Sequence, residues 1–348
     1  MQRPVMNPGY LDDLPIGETD GSRQSPSRAW WVLLRLIGRT LRALVALLLS
    51  RPFACRVTTN EVRDETGSPV GRFIRGLAYR LAFLPVFAAV LAGLLVYFGT
   101  HPNVPPIVKD PTTFGFYYDT VSSASSDGRR LEGWLVPVLD AKKVVEQRDL
   151  ALRAKSPAVV LVHDYGQTRQ SLLPLVRPLH EAGYVVLLTT LRGPMDGYAG
   201  HTFGLKESDD VTAAVELLRR RSFIDASRIA VIGVGDGGVA AMLAAANDPA
   251  GVQSVIAIRP PASLDEPFFR AIVPPRLAII GPLCQWTFEI AYGVNLNAAA
   301  MELPAVREKA STMVLHHAGS LDDRRLADRL LEHLDAHTPI AQSAASLN

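Results

Sequence analysis

The stretch that most constrains the fold is Arg228-Ile-Ala-Val-Ile-Gly-Val-Gly-Asp-Gly-Gly-Val-Ala240. Residues 229–232 are apolar and mostly β-branched, as a strand buried on both faces requires. Glycines at 233, 235, 237 and 238 follow, and small residues over 239–246 then begin a helix. The spacing G-x-G-x-G puts Gly233, Gly235 and Gly237 at the first, third and fifth places of a sharp strand-to-helix turn. Gly235 contributes no side chain to the middle of that turn.

The 348 residues are enough for one large domain with an appendage, and a hydrophobic fraction of 48% supplies a sizeable core. A formal charge of +2 gives no general affinity for nucleic acid. Cys55 and Cys284 are too few and too far apart for a disulfide framework or a cysteine-rich metal site.

Residues 1–29 are rich in Pro, Gly, Ser and Asp without apolar periodicity and are expected to be a disordered cytoplasmic tail. Within the basic region 30–80, residues 30–49 have a helical pattern in which Arg35, Arg39 and Arg42 form one charged stripe. Near a helix centre each arginine would cost roughly 2.5 to 3.5 kcal/mol on insertion, more than leucine or valine returns. This helix is expected to lie on the membrane surface with Trp30 and Trp31 at the interface; a helix packed on another protein is the alternative. Residues 81–99 are uncharged and apolar, and about 20 such residues cross a bilayer core. They are expected to form a transmembrane helix with Pro85 in its first turn. Arg72, Arg75 and Arg80 precede it, whereas His101 and Lys109 are the basic groups soon after, so the N-terminus is expected in the cytoplasm and the rest outside it. A hairpin in which 30–49 also spans would strand six arginines on the far side.

A Pro-rich spacer, 100–112, leads into a domain over 113–337, and a polar tail, 338–348, follows. Strands are expected at 114–120 and 131–138 around Asp127-Gly128, a hairpin signal. After a charged, solvated insertion at 141–155, strands at 158–162, 184–189, 229–232, 252–258 and 312–315 alternate with helices at 171–182, 208–221, 239–246 and 322–334. That alternation is the mark of an α/β domain with a mostly parallel sheet covered by helices on both faces.

Several motifs make the chain resemble the α/β-hydrolase superfamily, in its serine aminopeptidase and dienelactone-hydrolase-like neighbourhood. Leu161-Val-His-Asp-Tyr-Gly166 resembles the His-Gly-x-Gly loop after the third strand, with Asp164 in place of its first glycine. Leu191-Arg-Gly193 resembles the element after the fourth strand, and Thr202-Phe-Gly204 with Glu207, Asp210 and Val211 resembles the run into the next helix. The glycine turn resembles the nucleophile elbow. The resemblance places Gly235 at the nucleophile and makes the amides of Tyr165 and Asp236 the oxyanion-hole donors. The acid expected after residue 315 has Asp322 as its nearest match, unless Asp322 and Asp323 merely form the acidic first turn of the last helix, where Ser320-x-x-Asp323 resembles a capping box. His337 alone stands near the expected catalytic histidine, in a region without a strand pattern.

Asp236 as a carboxylate nucleophile would stand one place late. His163 matches a histidine that braces the loop in relatives. His316 and His317, adjacent on a strand, point to opposite faces and cannot share a metal, so no metal site is expected. Gly233-x-Gly-x-x-Gly238 fits a dinucleotide fingerprint, but no acidic residue ends the next strand to take ribose hydroxyls. No cofactor is expected. Residues 259–304 are apolar and aromatic and read as a lid over an apolar pocket, a second bilayer contact, or ordinary core helices. The expectation as a whole is a membrane-anchored, single-pass, catalytically silent hydrolase-fold domain that binds a small apolar or acyl ligand or an envelope protein partner. An active ester or peptide hydrolase using Asp236, or a base from another chain, is the alternative.

Overall fold

A computed structural model describes residues 69–138, 155–193, 200–248, 251–298, 311–316 and 319–339. The expected tail 1–29, the amphipathic stretch 30–49, nearly all of the insertion 141–155, His317 and most of the tail 338–348 lie outside the described residues. The chain divides into two compact units, Met1–Leu84 and Pro85–Asn348.

Helix α1 runs Pro69–Thr100, so Pro85 sits in its interior, not in its first turn. The uncharged run marks where a membrane could be crossed, but arginine is a good helix former and lets the helix start well before that run. Leu81–Thr100 is long and apolar enough to cross a bilayer. Leu81, Phe83, Leu84, Val86 and Val90 are exposed, whereas Ala92, Val96 and Thr100, on one face of the last turns, are buried.

The domain is built on a seven-stranded sheet, β1 Asp119–Ala124, β2 Arg130–Val136, β3 Ser156–Val162, β4 Val185–Thr189, β5 Ile224–Val234, β6 Ser254–Ile258 and β7 Thr312–Leu315, in the order β1-β2-β4-β3-β5-β6-β7. The β1–β2 and β2–β4 pairings are antiparallel and the remaining four are parallel. The first strand lies later than its apolar alternation predicts. Asp110 caps a 3-10 turn, Pro111–Phe114, by accepting from Thr112 N at 3.0 Å and Thr113 N at 3.3 Å. Phe114, Phe116 and Tyr118 then pack on the core without joining a ladder.

Strand residues alternate between two cores. Val160, Leu187 and Val231 face α3 Glu207–Arg219 and α4 Asp236–Asn247, together with α5 Asp265–Ile272, α6 Gly281–Tyr292 and the end of α1. Val159, Leu161, Leu188 and Ile232 face α2 Leu173–Glu181 and α7 Arg324–His337. Each leucine fully buried in this way, such as Leu175 or Leu330, contributes about 1.5 to 3 kcal/mol. Arg192 after β4 is buried and bound to Asp210 of α3 at 2.6 Å, and also reaches Asp127 at 3.0 Å and Ser125 Oγ at 3.0 Å. One guanidinium thereby ties the β1–β2 hairpin to α3.

Candidate functional site

The turn after β5 lies at the C-terminal end of the parallel strands. Gly235 has φ 56° and ψ −123°, and α4 begins at the next residue. Its N–H donates to Ile258 O at 2.9 Å, and its carbonyl accepts from Gly238 N at 3.0 Å. A Cβ at Gly237 would run into the carbonyl oxygen of His163, so the turn packs directly against the loop after β3.

That loop supplies Asp164. Its Oδ1 accepts from Tyr165 N at 2.8 Å and from Asp236 N at 2.9 Å. A Cβ built on Gly235 would overlap the same carboxylate. One side chain therefore satisfies two backbone donors and fills the space in front of residue 235. The loop is held by His163, whose Nε2 accepts from Leu191 N at 3.2 Å and whose Nδ1 lies 3.0 Å from Asp164 O. With Nε2 accepting, Nδ1 carries the proton and donates to that carbonyl. Burial holds the ring neutral by pushing its pKa down to about 4.

Asp236, at the start of α4, is 2% exposed, and neither carboxylate oxygen has a hydrogen-bond partner among the described residues. Burial and then the charge of Asp164 push its pKa up to about 7, against the pull of His201 and Arg270. His201 and Glu207 form a buried pair with Nδ1 3.3 Å from Oε1. Glu207 also accepts from Thr202 N at 2.8 Å, Thr202 Oγ1 at 2.6 Å and Gly204 N at 3.0 Å. Burial opposes ionisation of both groups, but their mutual contact raises the pKa of His201 and, with Thr202, brings Glu207 down to about 2.

The end of α1 packs against these groups. Gly99 O accepts from Tyr165 OH at 2.5 Å, Thr100 O accepts from His201 N at 2.7 Å, and Thr100 Oγ1 lies 2.7 Å from Tyr292 OH. The Tyr165 ring stacks on Phe203 at 5.6 Å, and Phe203 meets Phe288 at 5.7 Å and Phe268 at 6.4 Å. An aromatic group thus joins the loop after β3 to α5 and α6. Beside it, His163, Thr168, Arg169 and His201 help line a cavity of about 430 Å³ to which Val104, Ile107, Val121 and Leu191 add apolar surface.

A family profile described as the prolyl oligopeptidase family, peptidase family S9, matches residues 175–336, from within α2 into α7. Over that stretch the chain is similar to a family of α/β-hydrolase fold. Among curated proteins no match is found. Similar solved structures include an esterase of Pyrococcus furiosus, 19% identical, covering 68% of this chain and 100% of that one at a TM-score of 0.45. A dienelactone hydrolase from Anabaena variabilis is 15% identical over 64% of this chain and 99% of that one, at 0.41. Dipeptidyl peptidase 4 of Porphyromonas gingivalis is 18% identical over 64% of this chain and 36% of that one, at 0.42.

In this α/β fold the sequence-predicted residues fall into two groups. Gly233, Gly235, Gly237, Asp236 and Tyr165 come together at the turn. Asp322 and His337 do not join them. Asp322 is exposed and lines a groove between α2 and α7, on the other face of the sheet. Asp323 itself caps α7, accepting from Arg325 N at 3.0 Å, while the Ser320 hydroxyl accepts from Asp322 N at 3.4 Å. His337 ends α7 with Nδ1 3.0 Å from His333 O, and His333 in turn lies 3.4 Å from Ser311 O, just before β7. Residues 333–338 therefore sit at the N-terminal ends of the strands, where Thr338 O accepts from Tyr184 OH. A strand of five residues separates the two ends by roughly 17 Å, which removes His337 as a base for this turn. His316 is exposed, and no group of three or more candidate metal ligands occurs among the described residues. Sequence reasoning missed the part played by Asp164 and His201. The signal for Asp164 was a departure from the family loop that coincides with the departure at Gly235.

Proposed function

We propose that this chain is a membrane-anchored α/β-hydrolase-fold protein whose domain works by binding and does not cleave. The observation that carries the reading is Asp164 Oδ1 on both Tyr165 N and Asp236 N. In a working hydrolase two such amides stabilise an oxyanion, and the side chain in front of them attacks. Here a permanent carboxylate sits on the donors, and Gly235 has nothing to attack with. The histidine and acid that a serine would need, at His337 and Asp322, stand elsewhere. The apolar run 81–99 serves as the single span, with the arginines before it in the cytoplasm and the domain outside. A small apolar or acyl ligand would enter the cavity lined in part by His163, Leu191 and His201, and an envelope protein is the partner a scaffold role would use. Incubating the purified full chain with a fluorophosphonate probe is expected to give no labelling beyond that of heat-denatured protein. Labelling abolished by substitution at the turn would overturn the reading.

The second reading is an ester or peptide hydrolase using Asp236. It is favoured by one feature, an unpartnered buried carboxylate with its pKa near 7. It predicts acyl-ester turnover that Asp236→Asn removes.

A further inference from the structure

Helix α6 is apolar on opposite faces. Cys284 and Phe288, four residues apart, are buried in the core beside Phe268. Pro282, Trp286 and Ile290, at the same spacing on the other side, are exposed, with Trp286 61% and Ile290 62% accessible. The 3-10 segment before it, Pro275–Ile280, adds Ile279 at 91%, and Phe269 of α5 adds 40%. Across 274–290 the charged residues are Arg276 and Glu289, and Glu289 is turned to Gln285 and to Leu296 N. A surface helix normally shows water a polar face, so a helix apolar on both sides has a second apolar environment to satisfy.

We infer that this exposed face of α5, the 3-10 segment and α6 is seated in the headgroup and acyl boundary of the same bilayer that α1 crosses. The inference rests on the membrane anchor proposed above. What selects lipid as the occupant is continuity with the anchor. Gly99 lies so close to α5 that a Cβ there would be 2.9 Å from Ile272 Cα, and Thr100 Oγ1 is 2.7 Å from the hydroxyl of Tyr292, the last residue of α6. Twelve helical residues extend only about 18 Å, so no part of α6 is far from the end of α1. Composition agrees, since a tryptophan flanked by aliphatic side chains, with Arg270 and Arg276 exposed nearby, is what a membrane interface favours. The consequence is a two-point attachment that fixes which side of the domain faces the lipid.

The test uses the full chain reconstituted in phosphatidylcholine–phosphatidylglycerol vesicles, with Trp30→Phe and Trp31→Phe removing the tryptophans that precede α1 in the sequence. Trp134 is buried in the opposite core and supplies a constant background. Lipids brominated at shallow acyl positions are expected to quench at least half of the Trp286 emission, and Trp286→Phe should abolish that quenched component. Emission unaffected by brominated lipid but quenched by aqueous iodide would overturn the inference, as would shielding from both that disappears when a co-purifying protein is stripped away. Alkaline carbonate extraction separates this from the anchor. A chain that stays in the pellet with unquenched Trp286 refutes the lipid-seated face alone, whereas a chain released by carbonate refutes the anchor and this inference with it.

Discussion

At the scale of single residues, two departures from the family loop explain each other. Gly235 lacks a side chain where Asp164 would collide with one, and Asp164 fills the space that a side chain would occupy. Gly235→Ala should therefore cost about 3 kcal/mol or more in stability, since it combines overlap with a positive φ. The overlap part of that cost should vanish in an Asp164→Gly background while the strain of the positive φ remains, and fully additive costs in chemical denaturation would contradict the coupling. Gly235→Ser alone is expected to give no efficient esterase, because His337, the histidine expected to take its proton, stands at the other end of the strands; a large gain in ester hydrolysis would refute this. The half of the site carried by glycines was legible, because a tight turn tolerates few residue types. The carboxylate on the amides was not legible, since nothing in a sequence shows where a loop aspartate points. Asp236 makes a further prediction. With its pKa raised from 3.8 to about 7, it favours the folded state below the unfolded value and loses that contribution as pH rises through 7. Buried His163, lowered to about 4, acts in the opposite sense and only below its ordinary 6.5. Asp236→Asn should therefore gain melting temperature relative to the native chain as pH rises from about 5 to about 7, a difference in which His163 cancels, and a difference that stays constant would show that Asp236 does not titrate there.

At the scale of elements, the strands β3 to β6 were legible because runs buried on both faces are unmistakable, and the half-buried β7 Thr312–Leu315 matches its expected bounds. The misplaced β1 and the early start of α1 have a common cause. Alternation and hydropathy report burial and lipid exposure, whereas ladders and helix ends are set by partners such as the Asp110 cap. The brace between Arg192 and Asp210 is an element-level device, joining β4, α3 and the first hairpin. Asp210→Ala leaves a buried guanidinium short of its main partner and should cost about 3 to 5 kcal/mol in denaturant titration. A loss under 1 kcal/mol would mean that water reaches Arg192.

At the scale of the whole molecule, the mostly parallel α/β sheet was legible from motifs spread along the domain, and the sheet order accounts for why they converge at one end. The positions of His337 and Asp322 were not legible, because both depend on where α7 enters and leaves the sheet. Helix α7 carries its histidines back to the N-terminal ends of the strands, away from Gly235. What remains at the turn is the Asp164 carboxylate on two backbone amides in front of Gly235. Steady-state hydrolysis of a panel of acyl esters by the full chain in nanodiscs tests this most directly. The account predicts rates equal to those of empty nanodiscs, unchanged in Asp236→Asn; saturable turnover that Asp236→Asn abolishes would contradict it.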